Sequence, residues 1–405
     1  MAQSTARTET TTRTPRRATG TAQRKTGRPF FGMIDSVIVA DDGAFAFEGA
    51  IPAEDAIAVW AWFVRDLAPD LIDPEVTEED PAALPALEAL MPDLLTRAKD
   101  VMAQAGTSRE VERRVRSQLG EESAWDRLPM VITALKCRTA LEKAQSFGRA
   151  ANGIHEDAAL ATALQSMPLQ DRSIAALLMM AALRHVAAPG RLVNAAIRLA
   201  GGASDTAITR SGFGPMIEAL LAHAQSQLPV VAQVGTFADI DLVCRAVDRF
   251  HRLMRAVNFV EISRRHRWAG IAASLTKSIS DRLEPKMREI PPDVNKALRR
   301  SRDGNDRLDS DQLLAALNGL FLLATIRDCR DSLAVNAAFD QTWGQVGQAL
   351  ELHLQRNMDL LRQNPSDRGT VARVEAGLKM AELRFGTEYA DIMRRARDTA
   401  ERRAG

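Results

Sequence analysis

From Pro52 to the C-terminus, apolar positions recur every three or four residues, the spacing of a helix with one buried face. Ile240, Val243, Val247, Phe250, Met254 and Val257 form the clearest seam, with successive steps of 3, 4, 3, 4 and 3. That rhythm suits helices packed side by side. A second seam, Phe339, Trp343, Val346, Leu350, Leu354, Met358 and Leu361, marks another long amphipathic helix. Pro52 followed by AEDAIAVWAWFVRDL starts a helix, with acids in its first turn. Thr107-Ser-Arg-Glu110 fits a capping box opening a helix to about Leu119, and a longer helix from Glu121, bent near Pro129, runs to about Ala151. Further helices are predicted at 156–166, 170–187, 190–200, 213–227, 237–263, 266–289, 292–301, 309–332, 335–362, 366–385 and 387–402. Their ends are punctuated by glycine and proline, as at Gly201-Gly202, Gly214-Pro215 and Pro291-Pro292.

Two segments, Ile174 to Leu183 and Leu313 to Ile326, are apolar nearly all round. Such helices belong at the centre of a bundle or in an oligomer interface. One in each half of the chain suggests two cores, with a boundary near Pro229 or Gly235. Only Met33 to Glu48 reads as β: an apolar run to Ala40, a turn signal at Asp41-Asp42-Gly43, then alternating Phe45 and Phe47. The fold class expected is all-α, an irregular multi-helix bundle or two stacked bundles, with a small N-terminal β-hairpin and a disordered basic tail. The corresponding divisions are an arm over 1–29, the hairpin over 30–50, and helical regions over 51–230 and 231–405. No internal period of about 30–50 residues marks a helical repeat array.

Charge is balanced over the whole chain, with 53 basic and 52 acidic side chains, but unevenly spread. Residues 1–29 hold no Leu, Ile, Val or aromatic residue, and seven cations against Glu9 give them a net charge of +6. So little apolar surface does not offset the cost of ordering. Nine acids against Arg65 give the stretch from Ala53 to Pro81 a net charge of −8. The basic arm ends Arg24-Lys25-Thr26-Gly27-Arg28-Pro29, which is similar to an AT-hook, the short element whose Gly-Arg-Pro core lies in narrow A·T minor grooves. It has Thr26 where a basic residue normally precedes the glycine, and it is a single copy. At about 100° per residue, Arg245, Arg249 and Arg252 fall opposite the seam of helix 237–263, with Arg255 to one side. Arg264, Arg265 and Arg267 follow at its end. With Arg16, Arg17, Arg24, Lys25 and Arg28 of the arm, these are the candidate residues for a polyanion or an acidic partner. Trp60 and Trp62, two apart, cannot share a helix face; core packing is the expected role, the alternative being one on the hairpin and the other at an interface.

Catalytic signatures are missing. Gly20 to Thr26 lacks the second glycine of a phosphate-binding loop, and Ser274 to Lys277 has the SxxK spacing without its partner motifs in order. Gly212-Phe-Gly214 runs on into Pro215-Met-Ile-Glu218 without a third glycine. Asp248 to His251 is only half of a di-iron motif, and Asp303 to Asp311 has Arg307 where an EF-hand places a ligand. No metal or cofactor is therefore expected. Cys137, Cys244 and Cys329 lie far apart without a CxxC, which points to buried thiols in a reducing compartment. No apolar run reaches the ~18–20 residues of a membrane span, and a cytoplasmic location is expected. The reading is a non-catalytic helical scaffold or adaptor that binds another protein or a second copy of itself. One alternative is a nucleic-acid-binding protein using the arm and the arginine face; another is an all-α enzyme without a known motif.

Overall fold

The computed structural model describes residues 29–40, 43–72, 83–233, 239–300 and 308–402, and most of them are helical. The expected basic arm, including Arg16, Arg17, Arg24, Lys25 and Arg28, lies outside the described residues, as does the end of the acidic stretch.

A small β element stands near the N-terminus, but it is not the expected hairpin. Residues Pro29–Ile34 form a helix, α1, that buries Phe30, Phe31, Met33 and Ile34 together. After one 3-10 turn, β1 (Ile38–Val39) pairs in parallel with β2 (Ile51–Pro52), Ile38 opposite Ile51. The alternating stretch between them has no strand partner, because a side chain takes that place. The Gln225 carboxamide accepts from the Phe45 N–H (3.1 Å) and donates to the Phe45 carbonyl (2.9 Å). The chain then turns at Gly49, whose φ of +81° favours glycine. A Cβ there would stand 2.4 Å from the Ala176 backbone.

Helix α2 (Ala53–Trp62) continues as a π-helical turn over Phe63–Leu67. Its two tryptophans point different ways, as their spacing requires, yet neither reaches the surface. Trp60 stacks on Phe30 with ring centroids 4.7 Å apart, and the Trp62 indole donates to Gln118 at 3.3 Å. Next come α3 (Leu84–Thr107), α4 (Arg109–Leu119), α5 (Glu122–Lys136), α6 (Arg138–Ala151), α7 (Asp157–Gln165), α8 (Arg172–Leu183), α9 (Pro189–Ala200), α10 (Asp205–Arg210) and α11 (Gly214–Gln225). The chain continues through α12 (Leu228–Val231), α13 (Ile240–Val257), α14 (Arg267–Leu298), α15 (Ser310–Cys329), α16 (Asn336–Gln363), α17 (Arg368–Phe385) and α18 (Thr387–Arg402).

Caps explain many of these starts. Asp239, Asp309 and Asp367 each accept backbone N–H groups in the first turns of α13, α15 and α17. The expected capping box at Thr107 is shifted by one: Thr107 closes α3, its hydroxyl donating to the Gln104 carbonyl, and Ser108 caps α4. The expected break at Pro291-Pro292 is also absent, since α14 runs unbroken for 32 residues through Pro285, Pro291 and Pro292. An interior proline costs about 3 kcal/mol. Against that, Ile279, Leu283, Met287, Ile290, Val294 and Leu298 form one buried stripe through the same turns. Each such side chain contributes about 1.5–3 kcal/mol on burial, so the stripe outweighs the prolines.

One hydrophobic cluster extends from Phe30 to Met380. It crosses the boundary drawn near residue 230, where Leu228 and Val231 of α12 are buried and α12 packs on α13 and α14. Helix α8 lies at its centre, with every residue from Ala175 to Leu183 buried among α6 and α11. Gly148 lets α6 approach, since a Cβ there would stand 2.0 Å from the Ala182 carbonyl oxygen. A smaller cluster joins Leu354, Met358 and Leu361 of α16 to Val374, Leu378 and Ala381 of α17 and Ala400 of α18.

Candidate functional site

The arginines singled out on α13 and at the start of α14 are largely engaged within the fold. Arg249 reaches the end of α8, donating from Nη1 to the Val186 carbonyl (2.5 Å) and from Nη2 to the Leu183 carbonyl (2.7 Å). The last carbonyls of a helix lack intrahelical partners, and a guanidinium there satisfies them and the dipole together. Burial pushes the Arg249 pKa down to about 10, and the neighbouring Arg252 adds to the shift. Arg252 donates to the Ala187 carbonyl at 3.1 Å and pairs with Asp248. Arg245 pairs with Asp241 one turn away. Arg267 donates to the Ala46 carbonyl (2.7 Å), pairs with Glu218 (3.3 Å) and lies over the Phe47 ring. Arg255, Arg264 and Arg265 are exposed. The helical period located this face correctly. That it docks on α8, more than 60 residues earlier, has no local signature.

Two concave features emerge that the sequence did not mark. The first is a groove of about 690 Å³ between α13, α14 and α15. Ile240, Val243, Ile290 and Leu322 supply its apolar lining, and Lys286, Arg288, Glu289, Asp293 and Lys296 its charges. Lys286 donates to the Gln233 carbonyl, and burial pushes its pKa down. Along α15 the apolar surface continues outward, with Leu314 41% and Phe321 48% exposed. At about 100° per residue these two share a face with Leu317, one helical row from Ala315, Asn318 and Leu322. Helices α8 and α15 read alike in sequence, yet α8 is enclosed and α15 keeps an outward apolar face. By length and composition Ser310–Ser332 also meets the measure of a membrane span, which 313–326 alone does not, and a third of it is buried in the fold.

The second feature is a cleft of about 640 Å³ at the N-terminus of α11. Leu164, Met167 and Leu169 before α8, Phe213 and Pro215 at the α10–α11 turn, and Trp268 on α14 give it apolar walls. Glu218 stands in its wall. Glu218 Oε1 accepts from the Trp268 indole N–H at 2.5 Å and from Arg267 Nη1 at 3.3 Å. Glu218 Oε2 is buried and accepts no hydrogen bond within the protein. The sequence brought this string forward only as a failed glycine motif, since Trp268 lies 50 residues away.

Buried titratable groups elsewhere serve packing. His223 is buried on α11 against the Met180 carbonyl at 2.9 Å, and burial pushes its pKa down to about 4. His251 lies 3.0 Å from the Ser332 hydroxyl, and burial lowers its pKa also. Burial pushes the Cys329 thiol up to about 12 and raises the Cys137 and Cys244 thiols. Among the described residues no three His, Cys, Asp or Glu side chains stand close enough to hold a metal ion. No protein-family model, no curated protein and no solved structure matches this chain.

Proposed function

We propose that the chain is a non-catalytic helical scaffold that binds another protein, and that the α13–α15 groove with the outer face of α15 receives an amphipathic helix of that partner. One observation carries the reading: α15 has the composition of a buried helix and presents Leu314 and Phe321 to solvent. Apolar lining with a charged rim is the usual anatomy of a protein interface. A groove between helices also matches the way an apolar helix face is recognised, through anchors at positions i, i+3, i+4 and i+7. Lys286, Arg288 and Lys296 beside Glu289 and Asp293 give the rim both signs of charge, which favours a mixed-charge helix over a polyanion. The internal partners of Arg245, Arg249, Arg252 and Arg267 give the nucleic-acid alternative less support.

A photocrosslinking residue in place of Phe321, introduced in the native host, tests this. The expected result is a discrete adduct with a second protein, lost when Leu314→Asp is added. An adduct only with another copy of the chain, together with a doubled mass by light scattering, overturns the adaptor reading in favour of a homodimer. Adducts unchanged by Leu314→Asp, adducts with lipid only, or no adduct at all overturn it outright.

A further inference from the structure

We infer that the cleft at the N-terminus of α11 is a small-molecule site for an organic amine, with the Glu218 carboxylate as the group that recognises it. The inference is independent of the α15 groove and rests on how Glu218 is held.

Two distant parts of the chain meet at this one carboxylate. Helix α11 carries it, Trp268 at the start of α14 donates to Oε1, and Arg267 donates to the same oxygen. Arg267 is itself fixed by the Ala46 carbonyl and the Phe47 ring. Trp268 is 4% exposed, and its ring lies 4.3 Å from that of His266. The position of the carboxylate is thus settled before any ligand arrives, which lowers the ordering cost of binding.

A purely structural clamp would satisfy both oxygens. Here both donors go to Oε1, and Oε2 is buried without one. A carboxylate offers about four acceptor positions, and leaving a buried acceptor unmet costs about 1–3 kcal/mol. Arg267 and Trp268 are already committed to Oε1 and cannot repair this without breaking the network. The Glu218 side chain is 14% exposed and lines the cleft, and because Oε2 itself is buried, a donor arriving there reaches that oxygen once the carboxylate turns toward the cleft. The terminal torsion of a glutamate is broad and soft, which lets the two oxygens share three donors.

The ligand class follows from the remaining walls. A primary ammonium supplies N–H donors and the charge opposite to Glu218, while Leu164, Met167, Leu169, Phe213 and Trp268 suit an apolar body of one ring or a short chain. Glu48 adds a second carboxylate to the lining. Arg210 and the exposed side of Arg267, also in the lining, are the features that would draw a carboxylate ligand, so the test opposes the two charges on one ring.

Benzylamine, benzoate and benzyl alcohol are titrated into the full chain labelled with 15N-tryptophan, following the Trp268 indole N–H resonance, assigned with Trp268→Phe. Benzylamine is expected to shift that resonance saturably and to bind at least about tenfold more tightly than the other two, the factor one charge-assisted hydrogen bond supplies. Glu218→Gln keeps an acceptor for Trp268 and is expected to lose about the same factor. Should Glu218→Gln fail to fold, Ser211→Phe places a ring in the cleft lining without touching the Glu218 network and is expected to block the shift. No saturable shift with benzylamine, equal binding of benzoate, or an undiminished response in either folded variant overturns the proposal.

Discussion

His223 makes the stability of this fold dependent on acid, and the dependence can be assigned to one side chain. It sits in the core on α11 with its Nε2 2.9 Å from the Met180 carbonyl, so the neutral ring with the proton on Nε2 donates there. Burial pushes its pKa from 6.5 down to about 4, opposed by the Met180 hydrogen bond and reinforced by the positive charges of Arg249 and Arg184. The unfolded chain therefore binds the proton first as pH falls. The stability contributed by the neutral ring is fully present above about pH 6.5 and is lost on the way down through pH 4. One pKa unit is about 1.4 kcal/mol, so the shift is worth roughly 3 kcal/mol in full, most of which disappears between pH 7 and pH 4.5. Urea unfolding at those two values, on the wild type and on His223→Gln, measures it. The glutamine amide can still donate to Met180 but does not titrate, so the two proteins are expected to differ by about 2–3 kcal/mol in their loss of stability. Groups that do not act on His223 cancel between the two proteins; the charge of His185 does act on it. Identical losses in the two proteins would refute the reasoning, since some other group would then carry the dependence.

Arg249→Met removes the donors to the Leu183 and Val186 carbonyls and is expected to cost about 2–4 kcal/mol by denaturant titration, with Arg249→Lys recovering only part. Gly148→Leu drives a side chain into the Ala182 backbone and is expected to cost about 3 kcal/mol or more by the same assay. Gly49→Ala combines strain at φ +81° with a backbone clash and is expected to lower the melting temperature clearly. At pH 8 a disulfide reagent should modify Cys137 and Cys244 before Cys329, which is expected to react only after urea is added because its pKa of about 12 leaves almost no thiolate.

Periodicity recovered the helices because it is local. The 3-4 seam of α13 is buried as read at Val243, Val247, Phe250, Met254 and Val257, and only Ile240 at its start is partly exposed. What escaped depends on contacts between residues far apart. The strand partner of Phe45 is a side chain 180 residues away, and the prolines of α14 are tolerated because of neighbours on other helices. Two helices of like composition differ in burial because α8 is surrounded and α15 is not, a distinction that composition does not encode. The same limit hid the Glu218 cleft, whose three contributing elements lie at 46–47, 218 and 267–268.

The small C-terminal cluster means that the chain need not open all at once. Helix α18 is held by the buried Ala390 and Ala400, the partly buried Tyr389, Met393 and Ala396 and an ion pair from Arg394 to Glu382, and none of these apolar residues belongs to the large cluster. Its 16 residues can therefore detach as a leaf while the main body stays closed. Backbone amides in that leaf will exchange with deuterium at a lower free energy than those of α8, and a protease will find its first foothold there.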